Sequence, residues 1–207
     1  MNKQLFITGI GTGIGKTITS AVFTELFKAD YWKPIQSGDL DSSDAMSVQN
    51  LTSFDVTIFP ERYRFKLAAS PHESANAEGI SMKLSDFNLP KSNRSLMVEG
   101  AGGLFVPISD EYFIIDLIKQ LKLPVALVSR DYLGCINHTL LSLEALKNRN
   151  IRIDYFVFNG AFNPQTKSLI SKQLPEGIKI IEISEIKNFN QTTVTTIAKD
   201  IKWKKQL

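Results

Sequence analysis

A glycine-rich loop constrains this chain more than any other feature of its sequence. From Gly9 to Thr17 the residues read Gly-Ile-Gly-Thr-Gly-Ile-Gly-Lys-Thr, after the apolar run Leu5-Phe6-Ile7 and before a segment with helical spacing. Glycines let successive backbone N–H groups converge on an anion, and the first turn of the following helix adds unpaired amides. The order of strand, loop and helix therefore predicts a phosphate-binding loop.

Two side chains at the end of this loop suit a bound nucleotide. Lys16 supplies a mobile charge for the β- and γ-phosphates, and the Thr17 hydroxyl is placed to enter the shell of a Mg²⁺ ion. The strict motif has a glycine five residues before the Gly-Lys pair, where this chain has Ile10, and Gly9 lies one residue further back. We therefore interpret it as an expanded phosphate loop, in preference to a glycine-rich turn with a surface lysine.

Length and composition favour one α/β domain that spans residues 1–207. The 207 residues are 43% apolar, which suffices for one sizeable core. The single cysteine, Cys135, excludes an internal disulfide and favours a reducing compartment. The apolar run before the glycine loop is too short for a secretion signal or a membrane span, so we expect a cytoplasmic protein.

The charge pattern excludes two classes of partner. The net charge is +3, and the one local basic cluster, formed by Lys202, Lys204 and Lys205, is typical of a solvated helix end. Basic and aromatic residues do not recur together along a face. We therefore expect no nucleic-acid partner and no membrane partner.

Apolar strands alternate with amphipathic helices along the chain. The pattern predicts strands at 5–8, 31–35, 95–98, 125–128, 155–158 and 178–183. Helices are predicted at 17–28, near 43, after 71, at 114–120, after 137 and after 164, whereas the stretch 59–79 is irregular. This alternation predicts a mostly parallel sheet flanked by helices on both faces, the three-layer arrangement of a P-loop NTPase.

Oxygen-bearing side chains follow the predicted strands. Glu99 comes directly after the strand at 95–98, and Asp44 lies in a polar loop that runs into a helix. Open parallel sheets bind ligands at the carboxyl ends of their strands, and Mg²⁺ favours hard oxygen ligands beside phosphate oxygens and water. With the phosphate loop present, we predict that Thr17, Asp44 and Glu99 hold the metal of a MgATP site. Taken alone, Asp44 would be a helix cap.

Lys33 and Ser37 follow the second strand, on the side to which the phosphate loop points. A second lysine beside the γ-phosphate would neutralise charge on both the phosphoryl group and an anionic acceptor as the two approach. Taken alone, the two residues fit a surface lysine and a turn serine as well as they fit these functional roles.

Six motifs, taken in order, resemble those of the dethiobiotin synthetase family. They are Gly-x-x-Thr-x-x-Gly-Lys-Thr at 9–17, Lys33-Pro34-x-x-Ser37-Gly38, Ser43-Asp44-Ala45, Ser70-Pro71-His72, Val98-Glu99-Gly100-Ala101-Gly102-Gly103 and Leu133-Gly134-Cys135-Ile136-Asn137-His138. The match runs from the first strand to at least Asn159. Many enzymes have phosphate loops, but the last two motifs are much more specific. The expanded loop is normal in that family, which accounts for Ile10.

The resemblance implies an ATP-dependent ring closure in biotin biosynthesis. In that reaction 7,8-diaminononanoate and CO₂ form a carbamate, MgATP phosphorylates the carbamate, and the second amine attacks the mixed anhydride. The products are dethiobiotin, ADP and phosphate. The implied small molecules are therefore the diamine, CO₂ and ATP, with Mg²⁺ as the metal.

The resemblance also implies a role for each matching residue. Lys33, Lys16 and Thr12 would be catalytic, with Thr12 and Ser37 orienting the diamine, and Mg²⁺ would be held by Thr17, Asp44 and Glu99. The nucleotide-binding residues implied are Gly13, Ile14, Gly15, Lys16, Thr17, Ile18, Asp44, Glu99, Gly100, Ala101, Gly102, Asn159, Gly160, Ser184, Glu185 and Ile186. Among them Asn159 would contact the purine.

A further segment is implied to bind the substrate carboxylate. It comprises Leu133, Gly134, Cys135, Ile136 and Asn137, at the start of a helix where backbone amides attract anions. In the family the segment comes from the neighbouring subunit, so a homodimer with its substrate site at the subunit interface is implied. We assign no chemistry to Cys135, because no third group at interpretable spacing orients a nucleophile and base.

Two departures from the family pattern affect the expected site. Many family members have an acidic residue where this chain has Gly13, so only a backbone contact is expected there. The family often has a Gly-x-Ile-Pro turn around the base, whereas this chain has Glu182-Ile183-Ser184-Glu185-Ile186. Base selectivity is therefore left open.

Two other functions stay open from the sequence. The first is an amidoligase on another carboxylate, such as the glutamine-dependent cobyrinate enzymes, although their extra glutaminase domain does not fit into 207 residues. The second is a partitioning or positioning ATPase, which typically has a second lysine early in the loop and an amphipathic membrane helix at its end. Here the loop has only Lys16, and the tail from Thr192 to Leu207 is weakly amphipathic.

Overall fold

The computed structural model describes residues 2–201 and 204–205, which contain ten strands and seven α-helices. The strands are β1 (Gln4–Gly9), β2 (Asp30–Trp32), β3 (Ile35–Ser37), β4 (Ile58–Phe59), β5 (Tyr63–Phe65), β6 (Leu96–Gly103), β7 (Val125–Ser129), β8 (Ile153–Asn159), β9 (Lys179–Ile183) and β10 (Lys204–Lys205). The helices are α1 (Lys16–Phe27), α2 (Asp44–Leu51), α3 (Pro71–Ala77), α4 (Ile114–Leu121), α5 (Cys135–Asn148), α6 (Pro164–Gln173) and α7 (Gln191–Asp200). Short 3-10 helices lie at Leu40–Ser42 and Leu84–Asp86.

The main sheet has the order β10-β9-β8-β7-β1-β6-β2-β4 among the described residues. Every neighbouring pair is parallel except β10 with β9. Because β1 lies between β6 and β7, the loop that follows β1 leaves the middle of the sheet. The helices α1, α2 and α7 contact one another, and α5 contacts α6. The predicted parallel sheet with flanking helices is confirmed.

The central strands are apolar along their whole length because both faces are covered. Leu5, Phe6 and Ile7 of β1 are completely buried, as expected for a parallel strand between two helical layers. Phe23 of α1 meets Tyr155 of β8 edge to face, with ring centroids 5.3 Å apart. These contacts anchor the glycine loop at both of its ends, since it connects β1 to α1.

The predicted strand at 31–35 is divided in two. β2 ends at Trp32, and after Lys33 and Pro34 the chain continues as β3, which pairs with β5 in a separate two-stranded sheet. Pro34 has no backbone N–H and so cannot continue the ladder. The division turns the chain after Lys33 out of the main sheet. The irregular stretch at 59–79 supplies β5 and α3, which contacts β3.

Two other expectations need correction, and one alternative does not hold. β6 continues through Glu99 to Gly103, beyond the strand predicted at 95–98. Ser43, whose hydroxyl accepts from the amide of Met46 at 3.4 Å, caps α2, and Asp44 is its first helical residue. Asp44 therefore does not cap the helix, which was the alternative considered for this residue taken alone. Lys204–Lys205 form a strand rather than a helix end, whereas Lys202 lies outside the described residues.

Within residues 2–201 and 204–205, no helix is long and apolar enough to cross a lipid bilayer.

Candidate functional site

A cleft of about 680 Å³ lies where the glycine loop faces β3 and the end of β6. It brings together most of the residues predicted for the nucleotide and the reacting groups. Those lining it are Thr12, Gly13, Gly15, Lys16, Thr17, Lys33, Ser37, Asp44, Glu99, Ala101 and Gly102. The tertiary structure therefore gathers residues from four separate parts of the sequence into one cavity.

The glycine loop has the backbone shape of an anion-binding loop. Gly13 and Gly15 have φ angles of +72° and +88°, in the left-handed region that favours glycine. Gly15 is the N-cap residue of α1 and has no side chain that could cap it, so the first amides of α1 are left for a ligand. A Cβ at Gly15 would lie 2.0 Å from Nδ2 of Asn159. A larger residue at this position is therefore excluded.

Lys16 is folded back across the loop. Its Nζ donates to the carbonyl oxygen of Gly11 at 3.0 Å, and the residue is buried. Burial and the charge of Lys33 lower the pKa of Lys16 from 10.5 to about 8, while Glu99 and Asp44 act in the opposite direction. A bound phosphate would favour the charged form of this lysine.

Four side chains form a closed ring beside the loop. The Thr17 hydroxyl lies 2.5 Å from Oδ1 of Asp44 and 3.0 Å from Oε1 of Glu99. Nζ of Lys33 lies 3.3 Å from the same Oε1 and is also paired with Oδ2 of Asp44. One hydroxyl and one ammonium thus bridge two carboxylates that would otherwise repel each other.

Lys33 and Asp44 of this ring keep their charges although Lys33 is buried and Asp44 is partly buried. Burial alone would lower the pKa of Lys33, but the charges of Glu99 and Asp44 outweigh it and hold this pKa above its usual value. Burial alone would raise the pKa of Asp44, but the charge of Lys33 and hydrogen bonds from Lys33 and Thr17 hold it lower than usual. A charged lysine between two acceptors is therefore the stable state of the site.

The donor set fits Mg²⁺. Among the described residues, no cluster of three or more His, Cys, Asp or Glu side chains could hold a metal. The set here is instead one hydroxyl and two carboxylates that meet around Thr17, and all three groups offer the hard oxygens that Mg²⁺ prefers. In phosphate-loop enzymes the remaining positions are taken by phosphate oxygens and water.

The predicted carboxylate-binding segment does not line this cleft. Leu133 is completely exposed, and Asn137 is exposed on the first turn of α5. Cys135 is buried, with its thiol 3.4 Å from Oδ1 of Asp131. An apolar groove nearby is lined by Ile10, Gly11, Thr12, Gly103, Leu104, Phe105, Val106, Pro107, His138, Leu141 and Ser142. Thr12 lines both the cleft and this groove, so the two cavities adjoin.

The residues predicted for the base side of the nucleotide also lie outside the cleft lining. Asn159 is buried and its Nδ2 donates to the carbonyl oxygen of Ile14 at 2.8 Å, so its amide supports the glycine loop. After β9, Ser184 and Glu185 are exposed and Ile186 is partly buried, and Glu185 accepts two bonds from Nη2 of Arg130, at 2.7 and 2.9 Å. The amide of Gly160 donates to Ile183 at 2.8 Å.

Sequence reasoning missed several residues of the site. The cleft is also lined by Ala68, Ala69, Ser70 and Pro71. Only the Ser70-Pro71-His72 motif was noted in the sequence, and no role was predicted for it. Tyr31 was missed entirely: its hydroxyl donates to Oε2 of Glu99 at 2.8 Å. Burial and the charges of Glu99 and Asp44 hold the pKa of Tyr31 well above its usual value. One sequence signal could have found Tyr31. It lies two residues before Lys33 in the predicted strand at 31–35, and residues two apart in a strand point to the same face.

Three comparisons with known proteins bear on this site. The AAA domain family matches residues 3–200. An ATP-dependent dethiobiotin synthetase from Christiangramia forsetii is 47% identical over 173 residues, 83% of each chain. Another from Cytophaga hutchinsonii is 43% identical over 199 residues, 95% of each chain. A ParA family ATPase from Chlorobium tepidum TLS matches with a TM-score of 0.59 at 12% identity, over 97% of this chain and 100% of that chain, which shows the fold alone.

The bond from Asn159 to the glycine loop generates a prediction. Replacing Asn159 by Asp puts a carboxylate against the carbonyl of Ile14 and removes the donor, so the loop loses its support. We expect ADP affinity to fall about 5- to 150-fold, as titration calorimetry would measure, since a lost buried hydrogen bond costs about 1–3 kcal/mol. The matched control is Asn88→Asp, which removes an exposed amide bond to Ser85. Equal affinities in the two variants would contradict this role.

Proposed function

The chain belongs to the ATP-dependent dethiobiotin synthetase family, and from this premise we propose that the cleft between the glycine loop, β3 and β6 is where MgATP meets the diamine. The family relation makes the chain a ligase of biotin biosynthesis that forms C–N bonds with the help of ATP. What supports the placement is the ring of Thr17, Asp44, Lys33 and Glu99 beside an open phosphate loop.

The phosphates are held by the glycine loop. Backbone amides from Gly13 to Ile18 surround the anion, and Lys16 moves from the carbonyl of Gly11 to the β- and γ-phosphates. Thr17, Asp44 and Glu99 hold Mg²⁺, which when bound neutralises charge on the phosphate oxygens. We propose this role for Mg²⁺ because Asp44 and Glu99 each supply a hard oxygen within hydrogen-bond distance of the Thr17 hydroxyl.

Lys33 stabilises the transferring phosphoryl group together with Lys16. Its ammonium is buried beside the cleft and stays charged between Asp44 and Glu99. A fixed buried charge stabilises developing negative charge more strongly than a solvated one, because little reorganisation is needed when the charge moves. We propose that this charge draws the anionic carbamate oxygen toward the γ-phosphate, and that the second amine then displaces phosphate to close the ring.

Thr12 and Ser37 orient the diamine end. Thr12 lies at the junction of the cleft and the apolar groove. The hydroxyl oxygen of Ser37 is buried and has no hydrogen-bond partner within the described part of the chain. A buried hydroxyl without a partner is costly unless a ligand supplies one, which supports the assignment of this serine to the substrate.

The second part of the substrate site comes from a partner copy in this proposal. Leu133 is completely exposed, Phe105 is 53% exposed and Leu141 is 58% exposed, and the last two line the apolar groove. Apolar side chains exposed next to one another are typical of a contact surface. The segment 133–137 does not reach the cleft of its own chain, so we propose a homodimer in which it binds the carboxylate of the neighbouring site.

Three broader assignments are also proposals. We infer that residues 1–207 act as a single domain, because one connected apolar core includes residues from β1 to α7. We propose a cytoplasmic enzyme without nucleic-acid or membrane partners, supported by the free buried thiol of Cys135. An ATPase switch has no support beyond fold, since the ParA family relative is only 12% identical.

A substrate-dependence assay tests the reaction. With 7,8-diaminononanoate, bicarbonate and MgATP, we expect phosphate release that requires the diamine, because only its second amine can displace the phosphate of the activated carbamate. Phosphate would be measured by a coupled colorimetric assay and the cyclic product by mass spectrometry. Phosphate release at the same rate without the diamine would reject the assignment.

A further prediction concerns the charge of Lys33. Lys33→Gln keeps a hydrogen-bond donor but removes the charge, so we expect kcat to fall about 100- to 1000-fold, the size of effect typical for such electrostatic groups. The affinity for MgATP should change less than about 3-fold, because a group that acts mainly in the transition state leaves ground-state binding intact. Lys119→Ala, an exposed lysine on α4, is the control. Turnover at the wild-type rate in Lys33→Gln would reject the catalytic role.

Subunit mixing tests the shared site. Lys16→Ala disables the phosphate loop, and Asn137→Asp places a negative charge in the carboxylate-binding segment without changing its size. In a closed twofold dimer, random mixing of the two inactive variants makes about half of the dimers mixed. In each mixed dimer, one of the two sites combines an intact phosphate loop with an intact carboxylate-binding segment. We therefore expect mixing to restore about a quarter of wild-type activity. No recovery, with mixed dimers verified by mass, would show that the segment serves its own chain.

A further inference from the structure

Tyr31 is buried beside the carboxylate that we place on the metal. It lies in the middle of β2, has no exposed surface, and is among the largest completely buried side chains of the described residues. Its hydroxyl donates to Oε2 of Glu99 at 2.8 Å, and Glu99 is itself 1% exposed. The bond therefore lies in an environment that excludes water.

The register of the sheet explains why the two side chains meet. In the parallel pair of β2 and β6, Tyr31 is opposite Met97 and Trp32 is opposite Val98. Glu99 lies two residues after Met97 on β6. Alternate residues of a strand point to the same face, so Tyr31 and Glu99 share one face of the sheet.

The two oxygens of Glu99 have different partners. Oε1 contacts the hydroxyl of Thr17 at 3.0 Å and the ammonium of Lys33 at 3.3 Å. Oε2 accepts the bond from Tyr31. The terminal torsion of a glutamate is soft and turns easily, so a bond to one oxygen fixes where the other one points. Here the oxygen that remains directed at the cleft is Oε1.

We propose that Tyr31 is a positioning residue for magnesium: its hydroxyl holds Oε2 of Glu99 so that Oε1 faces the ion bound with the nucleotide. The inference rests on the metal role proposed for Glu99. Partners that orient metal-binding groups commonly change metal affinity by about 10- to 100-fold when they are removed. A tyrosine that only fills the core would have no such effect.

The test compares two buried tyrosines. Tyr31→Phe removes only the hydroxyl that holds Glu99. Tyr155→Phe is the matched control, because Tyr155 on β8 is 1% exposed, its hydroxyl accepts a bond from Nζ of Lys3, and neither residue lines the cleft. The binding of ADP would be measured by titration calorimetry over a series of Mg²⁺ concentrations, and again in EDTA. Thermal unfolding would be followed for both variants.

We expect Tyr31→Phe to raise the Mg²⁺ concentration at half-maximal enhancement of ADP binding about 10-fold. ADP affinity in EDTA should be unchanged, and Tyr155→Phe should respond to Mg²⁺ as the wild type does. In turnover assays, excess Mg²⁺ should restore kcat of Tyr31→Phe to within about 3-fold of the wild type, which a damaged core would not allow. An unchanged Mg²⁺ response in Tyr31→Phe, or equal shifts in both variants, would overturn the proposal.

A second pair of variants tests whether Tyr31 acts through Glu99. If it does, Tyr31→Phe adds no further loss of Mg²⁺ response to Glu99→Gln, whereas independent effects would add. Additive losses would overturn the proposal. The binding measurements need no diamine, so they can fail while diamine-dependent phosphate release succeeds, or succeed while it fails. The outcome is thus separable from that of the proposed reaction.

Discussion

Two carboxylates held close together beside a phosphate loop are the constraint on which this site depends. Asp44 and Glu99 lie on either side of the Thr17 hydroxyl, and Glu99 is buried. Two like charges so close are stable only with compensation, and the buried ammonium of Lys33 supplies it. A divalent cation between the same oxygens would provide the same compensation.

The fold brings these groups together through the register of parallel strands. Lys33 directly follows β2 and Glu99 lies on β6, which pairs with β2 on one side and with β1 on the other. The loop after β1 then carries Thr17 to the same edge. Asp44 comes from the start of α2, which Ser43 caps, so its side chain is free for the ring. Each group is held by an element whose position the sheet determines.

The glycine loop is supported from two directions. Asn159, at the end of β8, donates to Ile14, while Lys16 closes the loop on Gly11 from within. This support leaves the first amides of α1 without side-chain partners. A loop held from outside can keep those amides directed at an anion before the anion arrives, which is the preorganisation that electrostatic catalysis requires.

The sequence by itself determined the parallel sheet and the phosphate loop, because these depend on periodicity and on residue types at short spacing, and it identified Thr17, Lys33, Asp44 and Glu99 as candidate site residues. The family relation, first seen as a resemblance of motifs, is confirmed by relatives at 43% and 47% identity. Only the tertiary structure decided that Pro34 ends β2, that Ser43 caps α2, and that Tyr31 holds Glu99. These features depend on which strands are neighbours and in what register, and no local pattern encodes a bond between residues 68 positions apart.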